Sequence, residues 1–302
     1  MKKWSFRWPL LVRLHPLFLV LLAVSIYGHF FRPLALLFAV VLLHEWGHAL
    51  VAIRLGYTVA SIELYPFGGV AQLVGKNVGW KPQHEVAIAV AGPLVNLFLA
   101  LFATLLLVTG AVSEALARPF ISLNFTLMFF NLLPALPLDG GRIARASLAA
   151  SRGFETATKV VTRMSLVISA GLVLLGGVAL WLGYPDAGML ILGVFLLVSA
   201  LGLRRQNRYE TLRFLDHKRR EIPPTQPLRT LVVAEDVGIG NVAAQLVPGA
   251  YHLIYLQNQT LLPEETLTLS QPIEERELLR AIFEDGLWLE PIGILLRTSG
   301  HL

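Results

Sequence analysis

Apolar residues along the first two-thirds of this chain come in unbroken runs, and most of the runs are about as long as a bilayer is thick. Residues 14–27, 33–53, 85–108, 119–136, 159–182 and 187–203 are built mainly from Leu, Val, Ala, Ile and Phe. About 20 such residues cross ~30 Å of hydrocarbon as a helix, so the pattern predicts roughly six transmembrane helices. Between the second and third runs the period falls to two, with Val59, Ser61, Glu63 and Tyr65 followed by Pro66-Phe67-Gly68-Gly69. Residues 57–74 therefore read as a β-hairpin. Open backbone groups are not tolerated in lipid, which assigns the hairpin to the membrane surface or to a wet cavity. It either receives an extended segment along its edge or is purely structural.

Beyond Pro223, Pro224 and Pro227 the elements become short and mixed: strand 230–233, helix 237–246, strand 251–256, a weaker strand 260–262 and helix 273–283. The predicted fold class is an all-α polytopic membrane protein of about six transmembrane helices, with a short membrane-associated β-hairpin and a small C-terminal α/β domain. A core built from so few residues is marginal, which favours a homo-oligomer paired through this domain.

Composition sharpens this picture. The 302 residues are 55% hydrophobic and 15% charged, with no cysteine and a mean hydropathy of +0.63. Without cysteine there is neither a disulfide framework nor a thiolate metal site. The net charge of +5 conceals a split: residues 1–220 carry 21 Lys/Arg against 9 Asp/Glu, and residues 221–302 carry 4 against 11. Basic excess confined to the membrane part follows the positive-inside rule and calls for no nucleic-acid partner. Assigning the loops with Arg54, Lys76 and Lys81 and with Arg142, Arg145 and Arg152 to the cytoplasm leaves only Arg32 and Arg118 outside, and puts both termini inside. No small-residue cleavage site follows residues 14–27, which read as an uncleaved first span entered at His15. Residues 206–227 form a basic juxtamembrane linker suited to an anionic inner leaflet, between a membrane domain over 1–205 and the soluble domain over 228–302.

Within the second run stands His44-Glu45-Trp46-Gly47-His48. In a helix, residues i and i+4 share a face, so the two imidazoles can grip one metal ion. Glu45 is then within reach of a metal-bound water as general base, which is the chemistry an HExxH pattern encodes. Ionisable groups in a spanning helix cost about 3 kcal/mol each on insertion scales, so the cluster needs a compensating partner. The fourth run ends in Asn131-Leu132-Leu133-Pro134-Ala135-Leu136-Pro137-Leu138-Asp139-Gly140-Gly141-Arg142. Under the charge-derived topology, Asp139 arrives at the cytoplasmic depth of His44 and His48. It either completes the ligand set or caps the helix that starts near Arg142, and Asn131 either donates to a reacting carbonyl or packs. In the third run, Ala91-Gly92-Pro93-Leu94-Val95-Asn96 reads as a packing segment whose small residues admit a neighbouring helix and whose amide needs an interhelical partner.

HEWGH, AGPLVN and NLLPALPLDGG, in that order over residues 1–205, resemble the site-2 protease family of intramembrane zinc metallopeptidases. The similarity is strongest to the branch typified by the sporulation stage IV FB protease, which has a PFGG stretch after the HExxH helix. The resemblance implies one Zn2+ per chain held by His44, His48 and Asp139, Glu45 as catalytic base, and a substrate held near Asn131, Pro137, Phe67, Gly68 and Gly69. It also implies a cystathionine-β-synthase-like (CBS-like) domain over 228–302 that takes ATP, a bacterial cell membrane, and inhibitory membrane-protein partners. The implied substrate is a membrane-associated protein such as a precursor sigma or other transcription factor. Two other classes remain. A divalent-metal transporter requires further polar residues on both sides of the site, and runs 159–182 and 187–203 offer almost none beyond Lys159 and Arg163. A non-catalytic membrane regulator has no use for an intact Glu45.

Overall fold

The computed structural model describes residues 12–65, 68–74, 81–184, 187–220, 225–257 and 271–298. The chain divides into two compact units, residues 1–79 with 83–143, and residues 80–82 with 144–302.

In the first unit, α1 (Pro16–Tyr27) leads into α2 (Phe31–Arg54). Gly56, at φ 89°, turns the chain out of α2, and the Tyr57 N–H donates back to the Ala52 carbonyl at 3.0 Å, as a helix ending on a left-handed residue should. The predicted hairpin follows as β2 (Thr58–Tyr65) and β3 (Gly68–Val74), antiparallel, with an irregularity between Val59 and Ser61. A third strand, β1 (Val12–Leu14), adds parallel to β2 with Val12 opposite Ile62. Three residues at the head of an apolar run carry no period of their own, so only the pairing reveals this strand. Ile62 is fully buried against α1 and α2, in a cluster with Phe18, Leu34, Phe38, Val41 and Ala49. The Phe18 and Phe38 rings meet edge to face at 4.4 Å. Next come α3 (Pro82–Val108), α4 (Glu114–Asn131) and the start of α5 (Asp139–Arg152), which from Ala144 on belongs to the second unit.

The second unit holds α6 (Phe154–Trp181) and α7 (Gly188–Arg220) and a small mixed domain. Among the described residues, four helices are long and apolar enough to cross a membrane, at Phe31–Arg54, Pro82–Val108, Phe154–Trp181 and Gly188–Arg205. This is an integral membrane protein. The other two expected spans differ from the prediction. Helix α1 has 12 residues, about 18 Å of helix against ~30 Å of hydrocarbon. Helix α4 begins earlier than expected, with an ion pair between Glu114 and Arg118 in its first turns, and stops at Asn131, short of Pro134.

Helix α7 runs unbroken for 33 residues, so 206–220 of the expected linker are helical. Its far end is part of the small domain, which comprises β4 (Leu228–Ala234), α8 (Ile239–Ala243), β5 (Tyr251–Gln257), β6 (Ile273–Glu274), α9 (Glu275–Phe283) and α10 (Ile294–Thr298). The sheet order is β4-β5-β6, with β4 and β5 parallel and β5 and β6 antiparallel. A parallel pair needs a crossover, which α8 occupies. The strand expected at 260–262 lies outside the described residues. Phe214 and Leu215 of α7 and Phe154 of α6 are buried in the same core as Ile239, Leu246, Ile254 and Leu278. The Phe154 and Phe214 rings stack at 5.0 Å.

One buried polar network ties α7 to this domain. Lys218 Nζ donates to both oxygens of Glu275, at 2.6 and 2.8 Å, and to the Ala250 carbonyl at 2.7 Å. His252 donates to Glu275 Oε2 from its backbone N–H and from Nδ1, while its Nε2 accepts from the Val247 N–H. Burial pushes the Lys218 ammonium below its ordinary value, and the Glu275 carboxylate pulls it back up. Removing one partner of such a pair leaves an uncompensated buried charge, so Glu275→Ala is expected to cost about 3–5 kcal/mol. Hydrogen exchange of the full-length protein should then report lost protection of the β5 amides, and unchanged protection would refute the assignment.

Candidate metal centre

His44 and His48 lie one turn apart on α2, their ring centroids 4.7 Å apart and nearly perpendicular, at 3% and 5% exposure. His48 is oriented from outside its own helix: its Nδ1 stands 2.7 Å from the Ile88 carbonyl of α3. A carbonyl only accepts, so the proton sits on Nδ1 and the Nε2 lone pair is left facing inward. His44 Nε2 is 3.1 Å away, and each Nε2 is 3.1 Å from Asp139 Oδ2. Asp139 is the first residue of α5, delivered by the proline-broken segment after α4. Its Oδ2 faces the imidazoles, and its Oδ1 accepts from Arg142 Nη1 at 3.4 Å, one turn along the same helix. Glu45, also buried, completes a group in which the His44, Glu45 and His48 ligand atoms lie within 4.8 Å of one another.

The three inward atoms form a triangle with equal 3.1 Å edges. Two imidazole nitrogens and a carboxylate oxygen cannot hold that spacing without a shared proton or a cation between them. Zinc bound tetrahedrally at about 2.0–2.1 Å separates its ligand atoms by roughly 3.3–3.4 Å. The triangle needs to open by only a few tenths of an ångström, so the residues fit the metal. His44 Nδ1 is buried and has no hydrogen-bond partner among the described residues.

The AGPLVN segment does more than pack. Gly92 lies against both imidazoles: a Cβ built there would be 2.6 Å from His44 Nε2 and closer still to His48 Nε2. Gly47 is its counterpart on α2, where a Cβ would meet the Ala91 carbonyl oxygen at 2.9 Å. Helices α2 and α3 therefore touch through glycine on both sides. A glycine beside a helix proline was the available signal, but nothing in the sequence distinguishes a gap for a metal from a gap for a helix. Asn96 is fully buried, with neither amide atom bonded among the described residues.

The other expected site residues are not gathered in the same way. Asn131, at the end of α4, turns its Nδ2 back to the Leu127 carbonyl at 3.1 Å. Pro137 is exposed, two residues before Asp139. Gly68 and Gly69 open β3 opposite Tyr65 and Leu64. Phe67 lies outside the described residues.

Among known proteins, the model of peptidase family M50 matches residues 33–120 and 111–175, from α2 into α6. Stage IV sporulation protein FB of Bacillus subtilis is 30% identical over 279 residues, covering 91% of this chain and 92% of the relative. The chain belongs to peptidase family M50. As an M50 member it is a zinc metalloprotease of the site-2 type, and His44, Glu45 and His48 are its HExxH cluster. A zinc metalloprotease of Methanocaldococcus jannaschii is 36% identical over 148 residues, 47% of this chain and 41% of that protein. The solved site-2 protease from the same organism superposes with a TM-score of 0.50 at 31% identity, over 63% of this chain and 89% of that one.

Proposed function

We propose that this M50 protease hydrolyses a peptide bond in or beside the membrane segment of a membrane-associated protein, with His44, His48 and Asp139 as its zinc ligands and Glu45 as its base. The observation that carries the reading is the 3.1 Å triangle of His44 Nε2, His48 Nε2 and Asp139 Oδ2, buried among apolar helices. Zinc held there would polarise the scissile carbonyl and lower the pKa of a water in the open fourth position toward about 7. Glu45 takes the proton of the attacking water and returns it to the departing amide nitrogen. A substrate helix shields its own peptide bonds, so the scissile segment must be extended when it arrives. Strand β3 pairs only with β2 among the described residues, which leaves an edge for such a segment beginning at Gly68 and Gly69, which Phe67 precedes in sequence. Asn131 releases Leu127 to donate to the oxyanion, and Pro137 bounds the substrate near Asp139.

The same reading holds α1 and α4 to be membrane-embedded, giving six spans with both termini in the cytoplasm of a bacterial cell. Basic loops on one side support it. The domain over 228–302 is read as a CBS-like regulatory module that binds ATP and pairs with a second copy, and the substrate as a precursor transcription factor. The similarity to stage IV sporulation protein FB over 91% of the chain supports that branch.

Zinc content of the detergent-purified protein tests the ligand set. Wild type should hold close to one zinc per chain and Asp139→Ala far less. Equal zinc in both would sink the proposal, leaving Asp139 as a helix cap.

A further inference from the structure

We propose that Arg142 is a positioning residue that holds Asp139 to single-oxygen coordination and so keeps the fourth metal position open. The inference rests on the ligand set proposed above. A carboxylate beside a metal can present one oxygen or both, and rotation about its last bond exchanges them. If both oxygens engage, the position that the attacking water needs is filled. In this structure the two oxygens are held apart by different partners. Oδ2 lies 3.1 Å from both imidazoles, while Oδ1 accepts from Arg142 Nη1 at 3.4 Å.

Arg142 in turn faces a buried carboxylate at ion-pair distance. Its Nε lies 4.0 Å from Glu85 Oε1, and the Glu85 side chain is 3% exposed against 28% for Arg142. Glu85 sits on α3 three residues before Ile88, whose carbonyl orients His48. A single turn of α3 therefore directs two ligands, His48 through a backbone carbonyl and Asp139 through the Glu85–Arg142 pair. The planar guanidinium suits this task because its donors point in fixed directions, whereas a lysine ammonium is a rotating point charge. Outer partners of this kind commonly contribute about 10- to 100-fold in metal affinity or activity.

The test measures zinc affinity by competition with a chelator, and coordination by the visible absorption of Co2+ loaded in place of zinc. Arg142→Gln should weaken zinc binding about 10- to 100-fold. It should also shift the cobalt bands from the intense four-coordinate pattern toward the weaker five-coordinate one, and lower kcat with little change in KM. Arg142→Lys should fall between wild type and Arg142→Gln. If Arg142→Gln does not fold, Glu85→Gln carries the same test, with a smaller shift in the same direction. Wild-type zinc affinity together with a wild-type cobalt spectrum, in Arg142→Gln or in the substitute variant, overturns the proposal. Asp139→Ala serves as the control. If it loses the metal while Arg142→Gln matches wild type, this inference alone fails; if it keeps the metal, the ligand set itself fails.

Discussion

Glu45→Gln should lower peptide hydrolysis by about 10²- to 10⁴-fold while zinc content stays at the wild-type level. The two readouts separate because Glu45 is assigned no share in holding the metal. It lies between two histidines that already converge with Asp139, and the amide keeps the shape of the buried carboxylate while losing its ability to take a proton. Cleavage of a membrane-embedded substrate in proteoliposomes, with zinc measured on the same preparation, checks both halves. Activity above about a tenth of wild type would assign the proton transfer elsewhere. Zinc lost along with activity would make Glu45 a structural element of the metal site.

Gly92→Ala should deplete the metal although residue 92 carries no ligand atom. The added methyl falls 2.6 Å from His44 Nε2 and nearer to His48 Nε2, where the proposed zinc ligands converge. Relief requires either that the imidazoles rotate away or that α3 withdraws from α2. The first breaks the 2.7 Å contact between His48 and the Ile88 carbonyl, and the second gives up the close approach of α2 and α3 at Gly47. Overpacking of this kind costs about 1–3 kcal/mol, roughly one to two decades of affinity. Equilibrium zinc binding of the purified variant is the measurement, with helicity by circular dichroism to establish folding. A folded Gly92→Ala protein with wild-type zinc affinity would show that α3 moves freely there.

Much of this molecule was legible along the chain, and the places where legibility stops share a cause. Helices α2, α3, α6 and α7 announce themselves because each must be apolar over most of its length in lipid, a requirement every residue meets locally. Helix α4 was misplaced by several residues because its first turn is charged and its end is governed by a proline beyond it. The far half of α7 read as a linker from its basic residues, but Phe214 and Leu215 on its other face are packed in the core of the small domain. A charge run records residue type and not exposure: Lys218, in the same run, is itself mostly buried against Glu275.

The sequence by itself determined the membrane class and the HExxH turn, because both are set by periods within a single helix: continuous apolarity for insertion, and i to i+4 for two ligands on one face. It also brought Asp139 into contention through charge bias, but left a helix cap equally open. Only the tertiary structure put Asp139 3.1 Å from His44, across 95 residues of chain, and the Ile88 carbonyl 2.7 Å from His48, across 40. It alone showed that Gly92 leaves space beside the imidazoles and that Arg142 and Glu85 lie behind the carboxylate. These are contacts between helices, with no imprint on any local pattern. They arise when α2, α3 and the start of α5 pack closely enough for backbone atoms and small residues to define the site.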